Sequence, residues 1–489
     1  MSIGLALQNA LTGLTATSRL AEVTSGNLAN ALTPGYGRQS VVLTSAVAGT
    51  QGTGVRVTDV ERALDPELSQ ARRDADGALA DGAARSEALA DLERLIGTDA
   101  SSGLIGRIAE FEASLRLLAE TPELGPRQQA TAEAARDLAD AFGDVDAQIR
   151  QTRSQADAEI ARRVETLNDD LVAIARVNRQ IQTATAAGRE TAPLIDRREG
   201  LVDRVAQTLP VRQSSRPDGV LELRTLEGVP LSDVTARRIN FVAAPVVTSA
   251  LSFPATLSGL TSQGLDITPG GMGAQQVRGG ALAGLFAVRD DIGPHLQEQV
   301  DSLAADLITR TQDPAVDPTL VIGAPGLFTD RQSAFALVDN VGIAGRIELN
   351  AAVDPALGGD PAKLRDGIAS VTPRPDADAT ILRAVLDALK TPEDTTTPPA
   401  TPSLFGVLSF ADRTAQVAEL LATDRVFGEA NTAALAAERE TLAQQESDIL
   451  GVDSDAELQR LIVIEQAYAA NAQVIQTASR MLEELQRIR

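Results

Sequence analysis

The sequence predicts a multidomain, mainly α-helical fold with β-rich inserts, in which the N- and C-terminal helices pair as a coiled coil beside a helical bundle domain and outer β-rich domains. Three observations carry this prediction. The chain has 489 residues, more than one ordinary domain. Its aromatic content is 2%, so its core must be built from aliphatic residues and Ala, which suits a chain rich in helix formers. Seven-residue apolar repeats mark both ends, whereas strand-like segments concentrate in the middle.

The N-terminal helix is predicted from a heptad repeat over the first 30 residues. Two positions of the repeat are apolar or small: Ile3, Ala10, Thr17 and Thr24 on one, and Leu7, Leu14, Ala21 and Leu28 on the other. This spacing is that of a coiled-coil seam. Leu5, Leu11 and Leu20 lie outside the seam, so we expect a second apolar stripe that is available to other copies of the chain. The helix should end before the Pro-Gly pair at 34–35.

The C-terminal helix shows a matching repeat. Its two seam positions are Leu461, Tyr468, Ile475 and Leu482, and, three residues later, Ile464, Asn471, Ala478 and Leu485. Ser454 and Glu457 have the spacing of a capping box, and Gly451 just before them is expected to end the preceding helix. The simplest arrangement pairs the two terminal helices of one chain.

The middle of the chain divides by composition. Asp65-Pro66 and Thr121-Pro122 each place a cap residue before a proline at the first helical position, and 126–187 is rich in helix formers. Segments 220–224 and 239–247 read as strands, and the Thr/Pro-rich segment 391–403 reads as a linker. We therefore predict a terminal coiled-coil domain (1–45 plus 451–489), a helical domain (46–208 plus 279–312 and 404–450), a β-rich insert (209–278), a mixed insert (313–390) and a linker (391–403).

Composition argues against most kinds of chemistry. The 44 basic and 67 acidic residues give a net charge of −23, which disfavours nucleic acid and anionic membranes as partners. There is no cysteine for a disulfide, a thiolate nucleophile or a zinc–sulfur site, and the single histidine, His295, cannot form a two-His metal site. We predict no enzymatic activity, no cofactor and no metal. The N-terminus lacks a signal-peptide pattern, so export is expected to need no Sec-type peptide.

Nearly all basic residues are arginine, with Lys363 and Lys390 as the only lysines. Codon usage explains this bias most simply. The functional alternative is that arginine forms bidentate carboxylate pairs between subunits, for which the arginine pairs at 72–73, 162–163 and 197–198 are candidates.

Two terminal segments resemble the flagellar axial proteins, the family of rod, hook and hook-associated proteins. Residues 25–30 (SGNLAN) followed by 33–39 (TPGYGRQ) are similar to the signature that follows the N-terminal helix of this family, and 465–478 is similar to its C-terminal motif. Segments 52–57 and 279–285 resemble the start of its second domain and the helix start before its central helix. Chain order and length fit the hook-associated members better than the shorter rod proteins.

The resemblance implies a structural protein that is exported by the flagellar type III apparatus and acts outside the cell. It implies self-association into a ring or helical layer between hook and filament, with the hook protein and a second hook–filament junction protein as neighbours. It also implies an export chaperone on the C-terminal helix. Two alternatives stay open: a hook or rod protein of the same family, and a secreted helical adhesin or effector.

Candidate interface residues come from both ends of the chain. The amides of the two signature asparagines can form hydrogen bonds at the end of the first helix, the Pro-Gly pair reverses the chain, and the tyrosine supplies an amphipathic anchor. The expected assembly residues are Leu7, Leu14, Asn27, Leu28, Asn30, Pro34, Gly35, Tyr36, Arg38, Gln39, Leu461, Glu465, Gln466, Tyr468, Asn471, Ala472, Ile475 and Leu482.

Overall fold

Long helices and small antiparallel sheets make up the computed structural model, which describes residues 3–33, 35–48, 51–97, 103–336, 340–394 and 407–487. This agrees with the predicted fold class. The helices are α1 (Ile3–Ala29), α2 (Pro66–Ile96), α3 (Gly103–Glu120), α4 (Gly125–Ala186), α5 (Ala192–Thr208), α6 (Gly280–Ala287), α7 (Gly293–Thr311), α8 (Lys363–Asp366), α9 (Thr380–Lys390), α10 (Phe410–Leu450) and α11 (Ser454–Arg487). The strands are β1 (Gln39–Ala48), β2 (Gln51–Arg62), β3 (Val211–Ser215), β4 (Leu221–Thr225), β5 (Pro230–Ser232), β6 (Ile239–Asn240), β7 (Thr261–Ser262), β8 (Leu265–Asp266), β9 (Phe328–Asp330), β10 (Ile347–Leu349), β11 (Glu393–Asp394) and β12 (Val407–Leu408).

Helix boundaries follow local signals at some ends only. The Asp65 carboxylate accepts the N–H of Leu68 at 3.0 Å, so it caps α2 as predicted. Thr121 does not start a helix, because its N–H donates to Leu118 O at 3.1 Å and so closes the last turn of α3. The next helix, α4, begins at Gly125 and is a single helix of 62 residues, where long packed helices were predicted.

The predicted capping box at the start of α11 is wrong. The cap is Asp453, whose carboxylate accepts the N–H groups of Asp455 at 2.9 Å and Ala456 at 3.1 Å. Glu457 does not fold back over the helix end. It is buried and points to other segments, as described below. The preceding helix does end as predicted, with the Gly451 N–H donating to Ser447 O at 2.9 Å.

The chain forms two compact units. The first comprises Met1–Ala78, Glu165–Ile239 and Leu435–Arg489, and the second comprises Leu79–Val164 and Asn240–Ala434. The five predicted domain segments stay a prediction.

In the first unit, the β3–β4–β5 sheet packs on the end of α4. Leu221 and Leu223 of β4 are buried, and Arg224 between Leu223 and Thr225 is exposed, so the strand alternates as a half-buried strand should. Asn178 of α4 is fully buried. Its Nδ2 donates to Leu221 O and to Asp233 O, both at 2.8 Å, which satisfies the backbone at the sheet end.

A network of arginine–carboxylate pairs joins α2, α5 and α10 in the same unit. Arg72 pairs with Asp203 at 2.7 Å and with Glu446, and Arg73 pairs with Asp203 at 2.6 Å and Glu199 at 2.8 Å. These pairs are within one chain, so the suggestion that Arg72 and Arg73 pair between subunits is wrong. Both guanidinium groups are largely buried, which makes the pairs part of the fold.

The arginines at 162–163 also have partners within the chain. Both pair with Glu159 on the same helix, three and four residues earlier. Arg198 is 6% exposed and therefore has little surface to offer to another subunit.

In the second unit, the core is aliphatic with a few phenylalanines. Phe111 of α3 meets Phe328 of β9 edge to face, with ring centroids 5.6 Å apart. Around them lie buried residues of α3, α4, α7 and α9, among them Leu115, Leu138, Phe142, Val300, Ile308, Leu382 and Leu389. This unit has the dense apolar packing that the terminal helices lack.

Asp301 is a carboxylate buried in that unit with no cationic partner among the described residues. Asp301 of α7 accepts the N–H groups of Gly342 at 2.7 Å and Ala344 at 2.9 Å, and an amide hydrogen of Gln297 at 3.0 Å. The same Gln297 amide donates to Asp146 at 2.9 Å. Burial raises the pKa of Asp301 to about 7, with the nearby Asp146 charge adding to the shift and the three hydrogen bonds opposing it.

This pKa predicts a pH dependence of stability. Because the folded pKa lies above the unfolded value of 3.8, the folded state binds more protons between about pH 4 and 7. The contribution of Asp301 to the free energy of unfolding should therefore fall as pH rises through that window, by an amount on the order of 1–4 kcal/mol. Urea unfolding of wild type and Asp301→Asn between pH 4.5 and 8 measures this. Asp301→Asn should be less stable at low pH and show a weaker decline, whereas parallel curves would contradict the assignment.

Candidate assembly site

The two terminal helices form an antiparallel pair within the chain, as predicted. Asn27 near the end of α1 meets Glu457 near the start of α11, with Nδ2 and Oε2 3.4 Å apart. Halfway along, Gly13 faces Asn471, and a Cβ added at Gly13 would lie 2.8 Å from the Asn471 amide. Between these two contacts the chain advances by 14 residues on α11 and goes back by 14 residues on α1, so the antiparallel register is continuous. Glycine is needed at position 13 because the helices approach closely there.

The contact surface between these helices is built from small side chains. On α1 the buried residues are Ala10, Ala16, Thr17, Val23, Thr24 and Asn27. On α11 they are Glu457, Ile464 and Ala478. Of the predicted seam residues of α1, Ala10, Thr17 and Thr24 are buried, whereas Leu7, Leu14 and Leu28 are only half-buried. Small buried residues contribute far less than the roughly 1.5–3 kcal/mol of a fully buried Leu.

The second face of α1 is covered by the β1–β2 hairpin. The Val55 N–H donates to Thr12 Oγ1 at 3.3 Å. The neighbouring Gly54 has φ +113°, and a Cβ there would lie 2.0 Å from Thr12 Oγ1. The expectation that this stripe of α1 is free for other copies is therefore wrong for Leu5 and Leu20, which are half-buried, while Leu11 stays 58% exposed.

The signature after α1 folds back around one buried amide. Asn27 is fully buried. Its Oδ1 accepts the Tyr36 hydroxyl at 2.9 Å and the Gln39 N–H at 3.0 Å, and its Nδ2 donates to Gln39 O at 2.9 Å. Gly35 adopts φ +77°, a left-handed conformation that suits the chain reversal. Pro34 lies outside the described residues.

Glu457 is the second centre of this network. Its carboxylate is 1% exposed and accepts from Arg38 Nε at 2.9 Å and Arg460 Nη1 at 3.2 Å, in addition to Asn27. The Arg38 N–H also donates to Leu450 O at 2.9 Å, at the end of α10. The end of α1 and the turn after it meet the end of α10 and the start of α11 here, so the two ends of the chain are joined. We call Asn27, Tyr36, Arg38, Gln39 and Glu457 the signature network.

The electrostatics keep the Tyr36 hydroxyl a donor. Burial raises its pKa above the ordinary value, and the carboxylates of Asp196, Glu457 and Glu190 raise it further. The phenol therefore stays protonated at neutral pH. Asn30, the other signature asparagine, is used locally: its Nδ2 donates to Gly26 O at 2.9 Å.

The outer face of α11 is apolar and has no partner among the described residues of this chain. Val463, Val474 and Met481 are 63%, 45% and 49% exposed. Together with Ala467, Ala470 and Thr477 they recur at intervals of three or four residues. We call this set the outer stripe. It is a second heptad repeat beside the predicted one, which faces α1.

The predicted residues of α11 divide between the two faces. Leu461, Asn471, Ala472 and Ile475 are half-buried beside α1. The remaining four are exposed: Glu465, Gln466, Tyr468 and Leu482. Their role in assembly stays a prediction.

The described residues hold no cluster of three or more His, Asp or Glu that could bind a metal ion. Within the same part of the chain, no helix is long and apolar enough to cross a membrane.

Two protein-family models match the chain. The helical domain of the flagellar hook-associated protein FlgK matches residues 89–313. The C-terminal model of the flagellar basal body rod proteins FlgEFG matches residues 443–488, which comprise the end of α10 and all of α11.

Curated relatives are similar over part of the chain. Flagellar hook-associated protein 1 of Salmonella typhimurium is 29% identical over 244 residues, covering 48% of this chain and 44% of the relative. The protein of the same name from Escherichia coli is 28% identical over 244 residues, with the same coverage. That of Bacillus subtilis is 26% identical over 234 residues, covering 45% of this chain and 46% of the relative. The match thus spans less than half the length of these relatives.

A solved structure is also similar, that of the flagellar hook junction protein FlgK from Burkholderia pseudomallei. The TM-score is 0.43 at 20% sequence identity, with 54% of this chain and 46% of that chain covered.

Removing the charge of Glu457 should loosen the signature network. In Glu457→Gln the Arg38 guanidinium loses its charged acceptor, at a cost of about 1–2 kcal/mol, since Arg38 is partly exposed. Hydrogen exchange should then show protection of the Arg38 and Gln39 amides reduced about 5–30-fold. Glu465→Gln, a change of the same kind at an exposed position of α11, is the control. Equal protection in both variants would show that Glu457 does not hold the network.

Proposed function

Because the chain belongs to the flagellar hook-associated protein 1 family, we propose that it is a structural junction protein that joins the flagellar hook to the filament and has no catalytic activity. The family matches cover the helical domain and the C-terminal helix. The observation that carries the proposal is the outer stripe of α11, an apolar helix face with no partner among the described residues of its own chain.

Self-association through this stripe is the proposed mechanism. The signature network fixes α11 against α1, so each copy presents the stripe in the same orientation. From Gln466 to Ser479 no residue of α11 is charged, so copies can approach here in spite of a net charge of −23 each. One contact repeated around an axis closes into a ring or continues as a helical layer.

The proposed partners are the hook protein on one side of this layer and a second hook–filament junction protein on the other. Before assembly, an export chaperone would cover the outer stripe, because an exposed apolar face of this kind promotes aggregation. The chain would pass through the flagellar type III apparatus and function outside the cell.

The alternative within the flagellar axial proteins is a hook or rod protein. The C-terminal match alone is compatible with it, since that model describes rod proteins. The match over residues 89–313 to a hook-associated helical domain favours the junction.

Deletion of the gene tests the junction role. Cells should build hooks without filaments and release flagellin into the medium, because the filament has nothing to attach to. Electron microscopy of the cells and immunoblots of the medium measure both effects, and expression of the wild-type chain is the control. Normal filaments would overturn the proposal, whereas absence of hooks would favour the hook or rod alternative.

A charge in the outer stripe tests the mechanism. Val474→Glu should abolish filament attachment and self-association, because a buried carboxylate without a partner costs several kcal/mol. Gln476→Glu introduces the same charge two residues later, on another face of the helix, and should retain both. Motility and light scattering of the purified chain provide the readouts. Wild-type assembly of Val474→Glu would exclude the stripe as the interface.

A further inference from the structure

A cleft of about 810 Å³ lies in the first unit. Its walls come from the loop after α1, the start of α2, α5, the β3–β4 hairpin and the end of α10. The volume is in the range of pockets that hold a small molecule or a peptide side chain with its neighbours. The outer stripe of the proposed junction role does not line this cleft.

Four arginines line the cleft, and three of them form hydrogen bonds with carboxylates. Arg62 pairs with Asp196, and Arg72 and Arg73 belong to the network described above. Arg198 differs. Its Nη1 donates to two uncharged acceptors, Asn178 Oδ1 at 3.2 Å and Gly219 O at 2.9 Å.

Two buried guanidinium nitrogens in this wall have no hydrogen-bond partner among the described residues: Nε of Arg198 and Nη1 of Arg73. The two side chains are 6% and 3% exposed. The Glu199 carboxylate is 3.8 Å from Arg198 Nε, beyond hydrogen-bond distance, and already accepts from Arg73 Nη2 at 2.8 Å. Burial lowers the pKa of Arg198, a shift that Glu199 opposes and Arg62 reinforces, so its charge is incompletely compensated.

We propose that the cleft binds an oxyanion, a carboxylate or a phosphate, through Nε of Arg198 and Nη1 of Arg73. A buried guanidinium nitrogen without a hydrogen-bond acceptor is costly, and an anion would supply an acceptor to both of these nitrogens. The carboxylates of Glu199, Asp203 and Glu446 in the same wall already accept from arginines, so the anion displaces no existing pair.

The surroundings bear on the source of the anion. A single phosphate would fill only a small part of the cleft. Two apolar side chains line it as well: Leu32 is 97% exposed and Leu64 is 57% exposed. This combination suits an acidic side chain that is carried by a peptide segment and flanked by apolar residues. A free oxyanion shares the chemistry, and the experiment separates the two sources.

Isothermal titration calorimetry of the full chain tests the proposal with three probes: inorganic phosphate, the blocked tripeptide N-acetyl-Leu-Glu-Leu-amide, and its Leu-Gln-Leu counterpart. The acidic tripeptide should show saturable binding at least about tenfold tighter than the neutral one, because only a carboxylate supplies a charged acceptor. Arg198→Gln should lose this binding. Arg197→Gln changes an exposed neighbour that does not line the cleft, and should keep it.

A second variant covers the case in which Arg198→Gln disturbs the fold. Ala443→Phe places a ring in the cleft from α10 and leaves every arginine intact, so it should also block binding. Tighter binding of the acidic tripeptide than of phosphate assigns a peptide source, and equal binding assigns a free oxyanion. Absence of saturable heat with all probes, or binding that survives Ala443→Phe, overturns the proposal.

Discussion

A buried carboxylate has to be met by donors, and this constraint organises the ends of the chain. Glu457 receives them from Asn27, Arg38 and Arg460. Asn27 in turn binds Tyr36 and both backbone groups of Gln39. The direction of α11 along α1, the chain reversal and the start of the β1–β2 hairpin therefore depend on one another. A change at any of these groups leaves another buried group unsatisfied, which costs more than the bond itself contributes.

Polar geometry and apolar burial have separate roles in this protein. In the second unit, Leu and Phe side chains fill a core. Between α1 and α11 the buried residues are mainly Ala and Thr, so the signature network fixes the arrangement while apolar burial adds little. The larger side chains of α11, such as Val474 and Met481, remain outside the pair. Apolar surface that the chain does not bury itself is thus available for association.

Local patterns predicted the terminal helices and their pairing, because a heptad repeat specifies a helix with one apolar face. The buried face was predicted only in part, since the seam residues Tyr468 and Leu482 are exposed. Local patterns failed where the outcome depends on distant partners. The sequence spacing favoured Ser454 and Glu457 as a capping box. In the structure the Glu457 carboxylate instead accepts a hydrogen bond from Asn27 of α1, and Asp453 caps α11. Likewise, no local signal shows that Arg72 pairs with Asp203 and Glu446, since these partners are 131 and 374 residues away. The hairpin that covers the second stripe of α1 was missed for the same reason.

The proposed assembly has to overcome the repulsion between copies that each carry a net charge of −23. The uncharged centre of α11 reduces this repulsion at the contact itself, since the stripe around Val474 can be buried without desolvating a charge. A stripe of a few Val, Met and Ala side chains is weak as a single contact, with each larger side chain contributing roughly 1.5–3 kcal/mol at full burial. Weak contacts are sufficient in a closed layer, because each copy binds two neighbours at once and the second contact forms at high effective concentration.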